Sequence, residues 1–199
     1  FRQQDTEFGL GQQNGGTEGM RSYGAEGAYR FNPAWSLAAE AWHEDNLDSD
    51  AKRDVATIEG LYRAERYGLM AGLREARDKF DDGEKQTSRQ LLLGGDWSTP
   101  DRKLTLRATH EQSLGSSNEN SDFPTRTMIG ADYQLSARVS VFAEQEFTWG
   151  DQEDTEGTRV GIKATPWQGG EVRTTVERQT IENGERIFAL FGLGQSWQL

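Results

Sequence analysis

Apolar residues recur at every second position along almost the whole chain, and no segment of comparable length carries them at helical spacing. That period belongs to extended strands, whose side chains point alternately to two faces. Trp35, Leu37, Ala39 and Ala41 share one face, while Ser36, Ala38, Glu40 and Glu44 share the other. The same pattern places Ala56, Ile58, Gly60 and Tyr62 together, then Tyr67, Leu69, Ala71 and Leu73, then Leu91, Leu93, Gly95 and Trp97. It continues through Leu104 to Ala108, Ile129 to Leu135, Val139 to Ala143, Val160 to Ala164, Val172 to Val176 and Ile187 to Leu193. A further strand is expected around Glu7 to Gln12, with Phe8 and Leu10 on the apolar side. No run approaches the ~18 apolar residues of a membrane helix, so any membrane crossing has to use strands.

The connections alternate as the side chains do. Short ones hold Asn32-Pro33, Ala64-Glu65, Thr99-Pro100-Asp101, Ser136-Ala137 and Gln168-Gly169-Gly170. Longer polar ones are expected at 14–20, 46–53, 77–87, 113–125, 150–157 and 181–185, the last containing the hairpin dipeptide Asn183-Gly184. Six aromatics, Trp35, Tyr67, Trp97, Tyr133, Trp167 and Trp197, sit beside the short turns or the C-terminus, 30 to 36 residues apart. Each step is one strand pair. Tyr and Trp favour a membrane–water interface because the ring is apolar while its polar edge seeks water. Phe147 and Trp149 would belong to a second girdle at the other end.

These features predict an all-β fold: one domain, residues 1–199, forming a closed antiparallel up-and-down transmembrane barrel of about twelve strands. A soluble two-sheet sandwich is the competing fold. Two arguments favour lipid on the apolar face. A ring of about twelve strands is too wide for its own side chains to fill, since roughly eight already reach that limit. The mid-strand apolar residues are also small (Ala39, Gly60, Ala71, Ala108, Ala131, Ala143, Ala164, Ala189), and would leave voids in a close-packed protein core.

The last strand ends in Gly192, Gly194, Trp197 and Leu199, spaced as polar-or-Gly, x, Gly, x, x, aromatic, x, hydrophobic. This resembles the C-terminal recognition signal of bacterial outer-membrane β-barrel proteins, with Leu at the position where Phe is commoner. The resemblance implies a bacterial outer-membrane location, with outer-membrane lipid and the barrel-assembly machinery as partners. Residue 1 is Phe and no charged-then-apolar leader opens the chain, so an export signal or upstream domain is expected to precede it.

With the apolar face to lipid, the other face becomes a candidate pore lining: Glu26, Glu40, Glu59, Arg63, Arg74, Asp96, Arg107, Asp132, Glu144, Arg159, Lys163, Arg173 and Glu177, joined by Arg30, Glu44, Glu111, Arg126 and Glu146. Ten acids against eight bases is nearly balanced, which fits a mutually paired, solvated wall. Acids dominate the early strands while Arg159, Lys163 and Arg173 form a basic stretch, an arrangement that would bias ion passage. The net charge of -11 speaks against nucleic acid, whose phosphates call for a basic surface.

Catalytic and cofactor chemistry finds little footing. With no cysteine, disulfides, thiolate metal sites and thiol nucleophiles are absent. The two histidines, His43 and His110, fall on the lipid-side parity and read as interface rings; the run His110-Glu111-Gln112-Ser113 does not match the His-x-Ser pattern of outer-membrane phospholipases. Glu144 and Glu146 form a polar wall before they form a glycosidase pair. Gly9-x-Gly11 lacks the third glycine of a phosphate loop. The acidic loops at Asp45, Asp48, Asp50 and Asp54 and at Asp151, Glu153, Asp154 and Glu156 carry hard-cation ligands without EF-hand spacing. The expectation is therefore a non-enzymatic channel for small hydrophilic solutes or ions, with no cofactor and no metal. The alternative is a membrane-anchoring or translocator barrel at the end of a longer surface protein.

Overall fold

A computed structural model describes residues 2–3, 20–47, 49–115, 123–150, 154–181 and 184–196. It contains strands and turns only. After the two-residue β1 (Arg2–Gln3) come β2 (Met20–Arg30), β3 (Trp35–Asn46), β4 (Lys52–Arg63), β5 (Tyr67–Lys79), β6 (Lys85–Ser98) and β7 (Leu104–Ser113). They are followed by β8 (Thr125–Ser136), β9 (Val139–Trp149), β10 (Thr155–Ala164), β11 (Gly170–Ile181) and β12 (Gly184–Gln195). Each strand pairs with the next in sequence, giving one up-and-down ladder in the order β1 to β12. Backbone contacts group the residues into two compact units: Phe1–Tyr62, Met70–Leu92 and Ser113–Phe123 form the first, Arg63–Leu69, Leu93–Gln112 and Pro124–Leu199 the second.

Two expectations need correction. The sheet is not closed: eleven full-length strands and the short β1 run in order, and no ladder joins β12 to the first strands among the described residues. The expected strand at Glu7 to Gln12, which would have supplied that closing partner, lies outside the described residues, as do Trp197, Leu199 and Asn183. The long loops are also shorter than expected. Strands β4, β5 and β6 extend through Lys52-Arg53, Arg77-Asp78-Lys79 and Lys85-Gln86-Thr87, residues assigned to loops by their polarity. The physical reason is that backbone pairing continues past the apolar band, where cross-strand ion pairs such as Arg53 Nε to Asp78 at 2.5 Å take over from apolar contacts.

Burial is inverted relative to a soluble sheet. In the first unit, Ile58 and Leu73 are exposed, while Thr57, Asp78, Ser88, Gln90 and Ser113 are buried. β4 alternates residue by residue, with Asp54, Ala56 and Ile58 exposed and Val55 and Thr57 buried. In the second unit Leu106, Ile129, Val160, Ile162 and Val176 are exposed, and Thr175 is buried. The apolar parity is thus the outward face in each unit, and the polar parity is the sheltered one. Water would penalise that arrangement, because apolar area left in contact with it costs about 25 cal/mol per Å²; hydrocarbon would not. No described helix is long and apolar enough to cross a membrane, which leaves crossing by strands untouched.

Candidate functional site

Strand register assembles the polar wall of the second unit. Arg107, Gly130, Glu144, Arg159 and Glu177 lie directly opposite one another across β7 to β11, so charge alternates along the row. Arg107 meets Asp132 and reaches Glu144 at 3.3 Å; Arg159 meets Glu144 at 2.8 Å, Glu146 at 3.3 Å and Glu177 at 3.0 Å. Arg126 pairs with Glu146 at 2.9 Å. The absent side chain at Gly130 leaves room for Arg107, since a Cβ there would come within 2.9 Å of Arg107 Nε and the guanidinium would have to shift. These ion pairs join Arg107, Arg126, Asp132, Glu144, Glu146, Arg159 and Glu177 into one connected network within this unit.

Two cations of the same wall stand outside it. Lys163 and Arg173 are directly opposed on β10 and β11, and neither forms an ion pair among the described residues. Arg173 lies over the Phe142 ring, 5.1 Å from its centroid, a contact the sequence did not announce. Like charges directly opposed weaken a sheet, and both side chains are exposed. Both border a cleft of about 900 Å³ that also touches Arg107, Asp132, Glu144, Arg159 and Glu177. Arg63 pairs with Asp96 at 2.8 Å in the same unit.

The first unit carries the opposite sign. Glu26 and Glu40 face each other across β2 and β3, and with Glu59 they line a cleft of about 460 Å³. Arg74 donates to Gln90 Oε1 at 3.1 Å, and the guanidiniums of Arg53 and Arg74 lie over the Phe123 ring at 5.5 and 6.0 Å. Every one of the thirteen expected lining residues thus falls on the polar parity of its strand, Glu26, Glu40, Glu59 and Arg74 in the first unit and the other nine in the second.

The expected interface aromatics Trp35, Tyr67, Trp97, Tyr133 and Trp167 are all exposed on the outward side or beside the short turns. Trp35 packs against Tyr62 with ring centroids 4.8 Å apart, and Phe147 stacks on Trp149 at 6.0 Å. His43 departs from the plain interface ring expected of it. Its Nδ1 lies 2.7 Å from Asp54 and its Nε2 2.9 Å from Asp45. Both ring nitrogens are thus within hydrogen-bonding distance of a carboxylate, which accepts when ionised. His110 meets the Thr127 hydroxyl at 2.7 Å. Among the described residues, no group of three or more His, Asp or Glu side chains is placed to hold a metal ion.

The described residues form strands and turns only, with the apolar parity outward and the paired charges of the wall sheltered, an architecture that is porin-like. No family model matches the chain, and no curated protein matches it in sequence. Among solved structures it is similar to a KdgM porin, with 11% identity, 90% of this chain and 97% of that one covered, and a TM-score of 0.47. A KdgM porin in complex with disordered oligogalacturonate gives 12% identity, 90% and 96% coverage, and a TM-score of 0.46.

Proposed function

We propose that the chain is a channel of the bacterial outer membrane for small hydrophilic solutes or ions, passive and weakly selective, and not an enzyme. The inverted burial carries this reading: an outward face of Leu, Ile, Val and Ala suits hydrocarbon, and a sheltered face of ion pairs suits water. The expected lining residues, Glu26, Glu40, Glu59, Arg63, Arg74, Asp96, Arg107, Asp132, Glu144, Arg159, Lys163, Arg173 and Glu177, are proposed to border the aqueous path. Most of the wall is internally neutralised, so transport follows solute size first. The unneutralised pairs, Glu26 with Glu40 and Lys163 with Arg173, set a secondary charge preference. Barrel-assembly machinery reading the C-terminal strand and outer-membrane lipid are the proposed partners.

Current across a planar lipid bilayer holding the purified protein tests the proposal. Stepwise ionic conductance is expected. A protein that inserts stably and passes no current would contradict it.

A further inference from the structure

Above its apolar band, the outward face of the first unit does not simply become polar; it becomes cationic. Outward positions on β2 to β6 step from Ala25, Ala41 and Ala56 to Tyr23, His43 and Asp54, then to Arg21, Asp45 and Lys52. On β5 and β6 the same parity ends in Glu75, Arg77 and Lys79 and in Lys85 and Arg89. Six cations, Arg21, Lys52, Arg77, Lys79, Lys85 and Arg89, thus share the face with three carboxylates, in a chain whose net charge is -11.

Two of the carboxylates, Asp45 and Glu75, are less exposed than the cations they hold. Asp45 is 8% exposed and accepts from Arg21 at 2.6 Å, from His43 at 2.9 Å and from Lys52 at 3.2 Å. Glu75 holds Arg77 at 2.6 Å and Arg89 at 2.8 Å, and those two side chains are 69% and 60% exposed. Arg89 uses Nε for that contact, and its two terminal amino groups have no acceptor among the described residues. Asp54 is exposed, but His43 occupies one of its oxygens. Asp45, which is buried, and Glu75, which is half-buried, therefore act as posts that orient the more exposed donors around them.

The height of this cluster identifies what faces it. Ten residue steps separate Trp35, in the lower aromatic row, from Asp45 on β3. At about 3.3 Å per residue and the usual tilt of 35–45°, that is about 25 Å, the height of the apolar band of an outer-membrane barrel. Lipid headgroups lie at that level.

We infer that the outward cluster of Arg21, Lys52, Arg77 and Arg89 is a binding site for the phosphomonoester groups of anionic membrane lipids, as distinct from the phosphodiester of a zwitterionic headgroup. The inference rests on the proposed membrane orientation. Guanidinium and ammonium donors suit phosphate oxygens, and Arg offers paired N–H groups to them. The bound lipid would order the outer end of β2 to β6 against the bilayer.

The test uses the full chain in three kinds of vesicle: phosphatidylcholine alone, phosphatidylcholine doped with lipid A, and phosphatidylcholine doped with lipid A stripped of its phosphates. Insertion is read by protease protection, and lipid association by quenching of protein fluorescence with labelled lipid A. The wild type is expected to insert into all three, to enrich phosphorylated lipid A around itself, and to lose that enrichment at high salt. Arg77→Gln with Arg89→Gln is expected to insert normally and to lower the enrichment several-fold, while Arg178→Gln in the second unit leaves it unchanged. Equal association with phosphorylated and stripped lipid A, or an unchanged double variant, would overturn the phosphate site while leaving the channel reading intact. Failure to insert into any vesicle would overturn the orientation and the site together. Enrichment abolished by free inorganic phosphate at matched ionic strength, with no preference for lipid-borne phosphate, would also overturn the headgroup assignment.

Discussion

Arg159 is the residue on which the sheltered wall of the second unit depends most. It reaches three carboxylates, Glu144, Glu146 and Glu177, from strands on either side of it. Arg159→Gln leaves those acids to repel one another, so the folded protein in detergent is expected to lose about 1.5–3 kcal/mol, the usual worth of a hydrogen bond to a charged group. Arg63→Gln removes a single, well-exposed pair with Asp96 and is expected to cost less than about 1 kcal/mol. Urea titration of both variants checks the ranking, and equal losses would mean the network is no more than a set of separate surface pairs. Alternation in the sequence placed Arg159 and its partners on one face. It could not supply the pairing, because opposition across strands depends on register, and Lys163 against Arg173 is a register fact of the same kind.

At the scale of elements, turns and strand ends decide what the alternation leaves open. The turn between β10 and β11 contains Gly169 at φ +76°, and a Cβ there would run into the backbone oxygen of Ser196. Gly169→Ala is expected to destabilise by about 1–2 kcal/mol for the left-handed conformation, with the steric clash adding to it. Gly27 has no left-handed φ and open space around it, so Gly27→Ala is expected to be neutral or slightly stabilising. Thermal unfolding of the two variants in the same detergent separates them. In the turn after β6, Asp101 accepts from the Thr99 hydroxyl at 2.6 Å and the Lys103 N–H at 3.1 Å, which holds its carboxyl below the usual range and lets Arg102 adopt φ +55°. Strand cores and short turns were legible from apolar spacing and turn residues. The outer strand ends were not, since a charged residue in a strand looks like a charged residue in a loop until its cross-strand partner is known. Arg53 with Asp78 and Glu75 with Arg89 are such cases.

At the scale of the molecule, the proposed channel inherits its charge preference from the unpaired like-charged pairs. Glu26→Gln with Glu40→Gln is expected to shift the reversal potential in a salt gradient toward anion preference. Lys163→Gln with Arg173→Gln is expected to shift it toward cation preference. Both shifts should fade with salt, as the Debye length falls from about 10 Å at 0.1 M to about 3 Å at 1 M. If neither pair moves the potential, the charge filter lies elsewhere. The face assignment, drawn from the alternating burial of strands such as β4, can be carried by register to adjacent residues of β12. Ala189 opposes Val176 on the outward parity, and Leu190 opposes Thr175 on the sheltered parity. Stability of Ala189→Arg and Leu190→Arg in lipid vesicles, measured by denaturant titration, tests that assignment most directly. Ala189→Arg is expected to lose roughly 2–4 kcal/mol, the cost of Arg near the bilayer midplane, and Leu190→Arg much less; equal losses, or the larger loss at Leu190, would contradict an apolar face turned to lipid.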